Sequence, residues 1–220
     1  MKRAQLAGML DHSVLKPEAT TRDVLEGAQV VRDWRIGFYC VQPGRVRMAA
    51  QALAGSGATL ISVVGFPHGC ELPATKAEAA ALAVADGAGE IDMVMNFGLV
   101  RSGDARAVAD DIEAVVRAVP GIPVKVILET GALSNDEKRL ACRLVLESGA
   151  AFVKTSTGFH PTGGATLEDV RLMRAAVGPD FGVKASGGIR SLADVLAMLE
   201  AGANRLGTSA SAAILGELHE

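Results

Sequence analysis

The chain reads as an α/β protein, a single-domain (β/α)8 TIM barrel covering residues 1–220. Three observations predict it. Short apolar runs rich in β-branched residues recur eight times, each separated from the next by a longer stretch. Strands that alternate with helices pair in parallel, and 220 residues suffice for eight such units with minimal loops. Glycine supplies 25 of the 220 residues, above the usual share of about 7%, as a chain with many tight turns requires. An open doubly wound sheet is the competing fold. Against it, no GxGxxG follows the first run and no GxxxxGKS/T occurs anywhere.

The eight strands are expected at residues 8–12, 36–41, 59–64, 90–95, 124–129, 152–155, 182–185 and 205–207. Between them, residues 75–86, 105–119, 135–148 and 167–176 are Ala-rich or of helical period, each long enough for three or four turns. Ser134 with Glu137 reads as a capping box at the start of one helix, and Gly149 falls where its left-handed C-terminal residue belongs. The pairs Gly57-Ala58, Gly87-Ala88, Gly149-Ala150 and Gly202-Ala203 repeat one helix-to-strand device four times. No linker or low-complexity segment marks a domain boundary.

Hydrophobic residues make up 49% and charged residues 21% of the chain, the balance of a globular protein and not of a disordered one. Aromatics are 4%, too few to offer stacking platforms to single-stranded nucleic acid. A formal net charge of −3 leaves no electrostatic footprint for nucleic acid or an anionic membrane. The N-terminal residues carry no apolar segment of signal-peptide length, and no window reaches about 18 uninterrupted apolar residues. A cytoplasmic location is expected. Cys40, Cys70 and Cys142 are widely spaced, without a CxxC or a nearby His pair, so neither a disulfide framework nor a metal site is indicated.

In a (β/α)8 barrel the active-site groups sit at the C-terminal ends of the strands, on the inward parity. Charged residues inside apolar strands are therefore the informative ones. Asp92 interrupts the fourth strand, Lys125 the fifth, Lys154 the sixth and Lys184 the seventh. A buried salt-bridge network, or lysines that snorkel to the barrel mouth, would account for any one of them. Four in consecutive strands call for more, because one carboxylate against two or three lysines leaves excess positive charge in a low-dielectric site. Such a site drives a proton off one lysine. A neutral lysine beside another cation is the arrangement required for a Schiff base with a carbonyl substrate. Lys154 and Lys184, on adjacent strands at matching depth, are the candidates, and the residues alone do not say which is the nucleophile.

The loops after the last three strands add a second signal. Thr157-Gly158 follows the sixth, Ser186-Gly187-Gly188 the seventh, and Gly207-Thr208-Ser209 the eighth, just ahead of a helix. Glycine admits an anion close to backbone N–H groups, and a helix N-terminus supplies oriented donors. In barrels of this kind that is the customary phosphate position. Gly158, Gly187, Gly188, Gly207 and Ser209 are the candidate phosphate ligands.

The stretches DHSVLKP (11–17), GFPHG (65–69), EIDMVMN (90–96), KVILET (125–130), KTSTGF (154–159), KASGGIR (184–190) and AGANRLGTS (201–209) closely resemble the deoxyribose-phosphate aldolase family. The resemblance runs through nearly the whole chain. It implies a class I aldolase without metal or organic cofactor, cleaving 2-deoxy-D-ribose 5-phosphate to D-glyceraldehyde 3-phosphate and acetaldehyde. It also implies that Lys154 forms the Schiff base, that Lys184 perturbs its pKa and helps move protons, and that Asp92 is a proton donor and acceptor. The partner is then a small phosphorylated sugar, and a homodimer or homotetramer is expected. Cys40 is expected in the pocket wall, and no proton role falls to His12, His68 or His160.

Three details depart from common family patterns. Phe159 stands where some members place a lysine near the phosphate, Ser13 where Thr is frequent, and the end of the sequence lacks the tyrosine of some relatives. Two alternatives stay open: another Schiff-base barrel, such as a transaldolase-like or keto-acid aldolase, and a non-catalytic sugar-phosphate binding protein.

Overall fold

The computed structural model describes residues 1–218; His219 and Glu220, and with them the question of the terminal tyrosine, lie outside the described residues. Eight parallel strands close a barrel in chain order: β1 (Leu10–Val14), β2 (Phe38–Val41), β3 (Thr59–Val64), β4 (Glu90–Val94), β5 (Val124–Ile127), β6 (Phe152–Lys154), β7 (Gly182–Ser186) and β8 (Arg205–Thr208). β8 pairs back onto β1, with Asp11 opposite Gly207. The helices are α1 (Arg3–Ala7), α2 (Thr21–Asp33), α3 (Val46–Leu53), α4 (Pro73–Ala85), α5 (Phe97–Arg101), α6 (Ala105–Ala118), α7 (Asn135–Glu147), α8 (Leu167–Val177), α9 (Leu192–Glu200) and α10 (Ser211–Gly216). None of the helices is long and apolar enough to cross a membrane.

All eight expected strands are present, displaced only at their ends. β1 lies two residues later than expected because Arg3–Ala7 forms α1, whose Ala7 carbonyl accepts from Gly37 N–H at 2.9 Å. β5 stops at Ile127 because Glu129 turns into the left-handed region (φ 55°, ψ 62°) and Thr130–Ala132 makes a 3-10 turn. β7 and β8 each run one residue further, through Ser186 and Thr208.

The capping box at α7 is formed: Ser134 Oγ accepts from Glu137 N–H at 3.3 Å, and the Glu137 carboxylate accepts from Ser134 N–H at 2.6 Å. Thr20 with Asp23 and Ser191 with Asp194 do the same for α2 and α9. The four helix-to-strand glycines all have positive φ, between 79° and 113°. At Gly202 a side chain would also collide, since a Cβ there would lie 2.8 Å from Arg174 Cγ.

Each strand presents two different faces, as a pleat must. Outward residues such as Tyr39, Val41, Ile91, Met93, Val126, Val153, Val183 and Leu206 are fully buried against the helices and form the main core. Inside the barrel a small apolar cluster forms on one side, Cys40, Ile61 and Val63 with Leu15, Phe38 and Phe66 packed on it. The opposite side of the interior is ionic.

Candidate active site

Seven charged side chains meet inside the barrel: Asp11 from β1, Glu90 and Asp92 from β4, Lys125 from β5, Lys154 from β6, Lys184 from β7 and Arg205 from β8. None is more than 9% exposed. The ladder register sets Asp92 beside Lys125 and Lys154 beside Lys184, as the expectation of matching depth required. Asp92 is the hub. Its Oδ2 accepts from Lys154 Nζ and from Lys184 Nζ, both at 2.6 Å, and its Oδ1 accepts from Lys125 Nζ at 3.0 Å.

The other acids are unevenly shared. Lys184 also donates to Asp11 Oδ2, and Lys125 to Glu90 Oε2. Lys154 has no carboxylate beyond the one it divides with its neighbours. The pKa directions follow from this geometry. Burial disfavours both ammonium groups, but for Lys184 Asp11 and then Asp92 outweigh burial and raise its pKa. For Lys154 burial prevails over Asp92, and the charge of Lys184 adds to it, so its pKa falls. Burial alone would raise the Asp92 pKa; Lys125, Lys154 and Lys184 together hold it well below the usual carboxylate range. The site therefore distinguishes two lysines that the sequence leaves equivalent.

Asp11, Glu90 and Arg205 were not anticipated as members. The expectation of a single carboxylate facing the lysines is corrected: three acids face four bases. The signal was present, since each is a charge in an apolar strand. Glu90 and Arg205 open their strands, however, where a charged residue ordinarily reads as a solvated edge.

Above the lysines opens a cleft of about 610 Å³. Lys154 and Lys184 form part of its floor, and Gly158, Gly187, Gly188, Gly207 and Ser209 all line it. Asp92 does not; it lies beneath, wholly buried, reached through the lysine heads. Lys125 is likewise sealed below the floor. Cys40 belongs to the wall, as expected, and burial pushes its thiol up to about 12, so it is not a thiolate.

The three glycine-bearing loops are locked together. Thr155 Oγ1 donates to Ser186 O at 3.1 Å and accepts from Ser186 N–H at 3.0 Å, and Ser186 Oγ donates to Ser156 O at 2.6 Å. Ala165 N–H donates to Gly187 O at 3.0 Å. Behind them the Glu129 carboxylate accepts from Thr157 Oγ1 at 2.5 Å and from Thr157 N–H at 3.3 Å. The amide N–H groups of Gly158, Gly187, Gly188 and Ser209 meet no acceptor among the described residues. The helix starts contribute less than expected. Ahead of α9, Arg190 N–H and Ser191 N–H are taken by Asp194 Oδ2 at 3.0 Å each, the first N–H of the helix, Leu192, is taken by the Glu217 carboxylate at 3.3 Å, and α10 begins only at Ser211. Lys16 and Arg190 add two cations to the cleft, and Phe159 adds an aromatic edge, set T-shaped against Phe66 at 5.3 Å.

Residues 2–216 match the family model of the DeoC/LacD family aldolases. The chain belongs to this aldolase family. The aldolase is 54% identical over 222 residues to a deoxyribose-phosphate aldolase of Mycolicibacterium paratuberculosis, an alignment covering 98% of each chain. It is 50% identical over 210 residues to that of Macrococcus caseolyticus, covering 96% of this chain and 95% of the relative. Among solved structures, the tetrameric deoxyribose phosphate aldolase of Aeropyrum pernix superposes with a TM-score of 0.90 at 31% identity, over 98% of this aldolase and 91% of that chain.

Proposed function

We propose that the protein is a class I deoxyribose-phosphate aldolase in which Lys154 is the Schiff-base nucleophile. One observation carries the assignment of the lysine: Lys184 is held between two carboxylates, whereas Lys154 has only a share of Asp92. The lysine with the weaker claim on a carboxylate is the one that loses its proton near neutral pH and attacks.

The Lys154 amine adds to the aldehyde carbon of open-chain 2-deoxy-D-ribose 5-phosphate. The carbinolamine loses its hydroxyl as water, taking a proton from the Asp92–Lys184 pair, and leaves a protonated imine. A base removes the C3 hydroxyl proton, the C2–C3 bond breaks, and its electron pair flows into the iminium to give an enamine. D-Glyceraldehyde 3-phosphate departs as the new aldehyde. Protonation of the enamine carbon and addition of water then release acetaldehyde and regenerate the amine. The imine itself is the electron sink, so the chemistry calls on no metal and no organic cofactor.

The amides of Gly158, Gly187, Gly188 and Ser209 receive the phosphate, with Gly207 leaving room beside them, and Arg190 and Lys16 supply charge where Phe159 replaces the lysine of some relatives. The alternative aldolases of the same mechanism would release a different fragment, and a binding protein would release none. The tetrameric relative supports a homo-oligomer, and a small metabolic substrate is in keeping with the expected cytoplasmic location.

Borohydride trapping tests the reading. With acetaldehyde or the sugar phosphate, reduction adds a single adduct that peptide mass spectrometry finds on Lys154, and Lys154→Met abolishes both adduct and turnover. An adduct on Lys184, or full activity in Lys154→Met, overturns the assignment. Release of pyruvate from a 4-hydroxy-2-keto acid, with no turnover of the sugar phosphate, would support the keto-acid alternative.

A further inference from the structure

The charged groups inside the barrel form a closed circuit. Arg205 Nη1 donates to Asp11 Oδ1 at 3.1 Å. Asp11 Oδ2 accepts from Lys184 Nζ, which donates also to Asp92 Oδ2 at 2.6 Å. Asp92 Oδ1 accepts from Lys125 Nζ at 3.0 Å, and Lys125 donates also to Glu90 Oε2. Glu90 closes the circuit by accepting from Arg205 at 3.2 and 3.4 Å. Six groups alternate in sign around this ring, and their charges cancel. Lys154 is the seventh. It stands outside, joined to the ring only at Asp92.

We propose that this ring decides which lysine is neutral, and that Arg205 is its positioning residue, holding the charge state of Lys154 from two strands away. The proposal rests on the reading of Lys154 as the nucleophile and explains why the sequence keeps four cations in so small a space. With all six members ionised the ring is balanced, so a proton on Lys154 would be an uncompensated charge in a low-dielectric interior, which is costly. Lys184 and Lys125 each sit between two carboxylates, whereas Lys154 has only its share of Asp92.

Arg205 suits the role for a chemical reason: a guanidinium carries a fixed charge, and its planar fork reaches Asp11 and Glu90 at once. It therefore sets a fixed cation between Asp11 and Glu90, and through them bears on Lys184 and Lys125. Its plane is held by two rings, with Cζ 3.3 Å from the Phe38 centroid and 5.3 Å from that of Phe152. The groups that face Lys154 directly are Asp92 from β4, Lys184 from β7 and the un-ionised Cys40 from β2. Asp11, Lys125, Glu90 and Arg205 reach it through those partners, and Lys16, Glu18, Asp23 and Arg190 face it across the cleft.

The experiment follows the pH dependence of imine trapping on Lys154 with acetaldehyde and cyanoborohydride, alongside kcat/KM for the sugar phosphate. Arg205→Gln leaves three carboxylates against two ring cations, so Lys154 keeps its proton. The rising limb of both profiles moves to higher pH by about one unit or more, roughly a tenfold loss at pH 7. Arg205→Lys keeps the charge and holds the limb near its parental position. Glu90→Gln unbalances the ring in the opposite sense and moves the limb to lower pH, and the double variant Arg205→Gln/Glu90→Gln returns it. The Glu90→Gln arm and the lysine arm keep the test decisive where Arg205→Gln does not fold. Limbs that stay in place in every folded variant, or that move in the same direction for Glu90→Gln and Arg205→Gln, overturn the ring. Failure of the parent to trap on Lys154 instead overturns the underlying assignment, so the two failures are distinguishable.

Discussion

At the scale of single residues, adjacent glycines of one loop have different reasons to be glycine. Gly187 has φ 90°, and a Cβ there would lie 2.9 Å from Gly164 Cα and 3.3 Å from Gly158 Cα, so it is both strained and crowded. Gly188 has φ 82° but open space around its absent side chain. Gly187→Ala therefore has to push apart the two loops that hold the proposed phosphate amides, whereas Gly188→Ala carries backbone strain alone. We expect both to lose about 1–2 kcal/mol of stability in urea unfolding. Only Gly187→Ala should raise KM for the sugar phosphate by about tenfold or more while leaving turnover of unphosphorylated deoxyribose within about twofold. Steady-state kinetics with the two sugars separate the outcomes; equal damage to both substrates would place the loop's role in the fold and not in phosphate binding. Lys154, Lys184 and Asp92 were legible in the sequence because a charge flanked by apolar residues cannot be an ordinary strand position. Which lysine is proposed to react was not legible, since that assignment rests on Asp11, which lies 143 positions before Lys154 in the chain and meets Lys184 only when β8 closes onto β1.

Elements were legible where their periodicity ran long enough to be read. α6 and α7 fall within a residue or two of expectation, while α1 and α5, five residues each, are too short to express a 3.6-residue period. The short pieces nonetheless carry structure. α10 is pinned to β1 by a hydrogen bond between His12 Nδ1 and Ser211 Oγ at 3.2 Å, with the imidazole stacked on Tyr39 at 6.0 Å between centroids. Burial lowers the His12 pKa from 6.5 to about 4. The sign of the effect on stability is fixed by linkage: between these values the unfolded chain binds a proton that the folded chain refuses. The contribution is complete above about pH 6.5 and is lost as the pH falls to about 4, amounting to at most about 3 kcal/mol. Urea unfolding at pH 7.0 and 4.5 should show this loss, and His12→Gln should flatten it across the same window. Asp92, held below the carboxylate range, acts only at still lower pH, so a decline confined to below pH 4 would assign acid sensitivity to the carboxylates and not to this histidine.

The whole molecule sets its surface and its interior to different electrostatic tasks. The formal net charge is −3, which opposes the approach of a phosphorylated sugar, yet the cleft offers Lys16, Arg190 and a bank of loop amides. Those cations border solvent and are screened by salt, with a Debye length of about 10 Å at 0.1 M and shorter above it. The ring beneath them is buried, its most open side chains, Arg205 and Glu90, being 11% and 9% exposed, and is screened far less. Ionic strength should therefore split two properties that mutation tends to confound. Raising salt from about 50 to 500 mM with an ion that does not compete for the phosphate site should raise KM for the sugar phosphate about two- to fivefold and leave KM for unphosphorylated deoxyribose unchanged. The pH of the rising limb of kcat/KM and the thermal midpoint should move little over the same range, because the groups that determine them lie inside the barrel. A limb that slides with salt as far as KM does would mean that the proton on Lys154 is governed from the cleft and not from the ring. Alanine at Arg190 should then remove most of the salt dependence of KM without displacing the limb, which locates substrate capture at the mouth and control of the nucleophile on the floor.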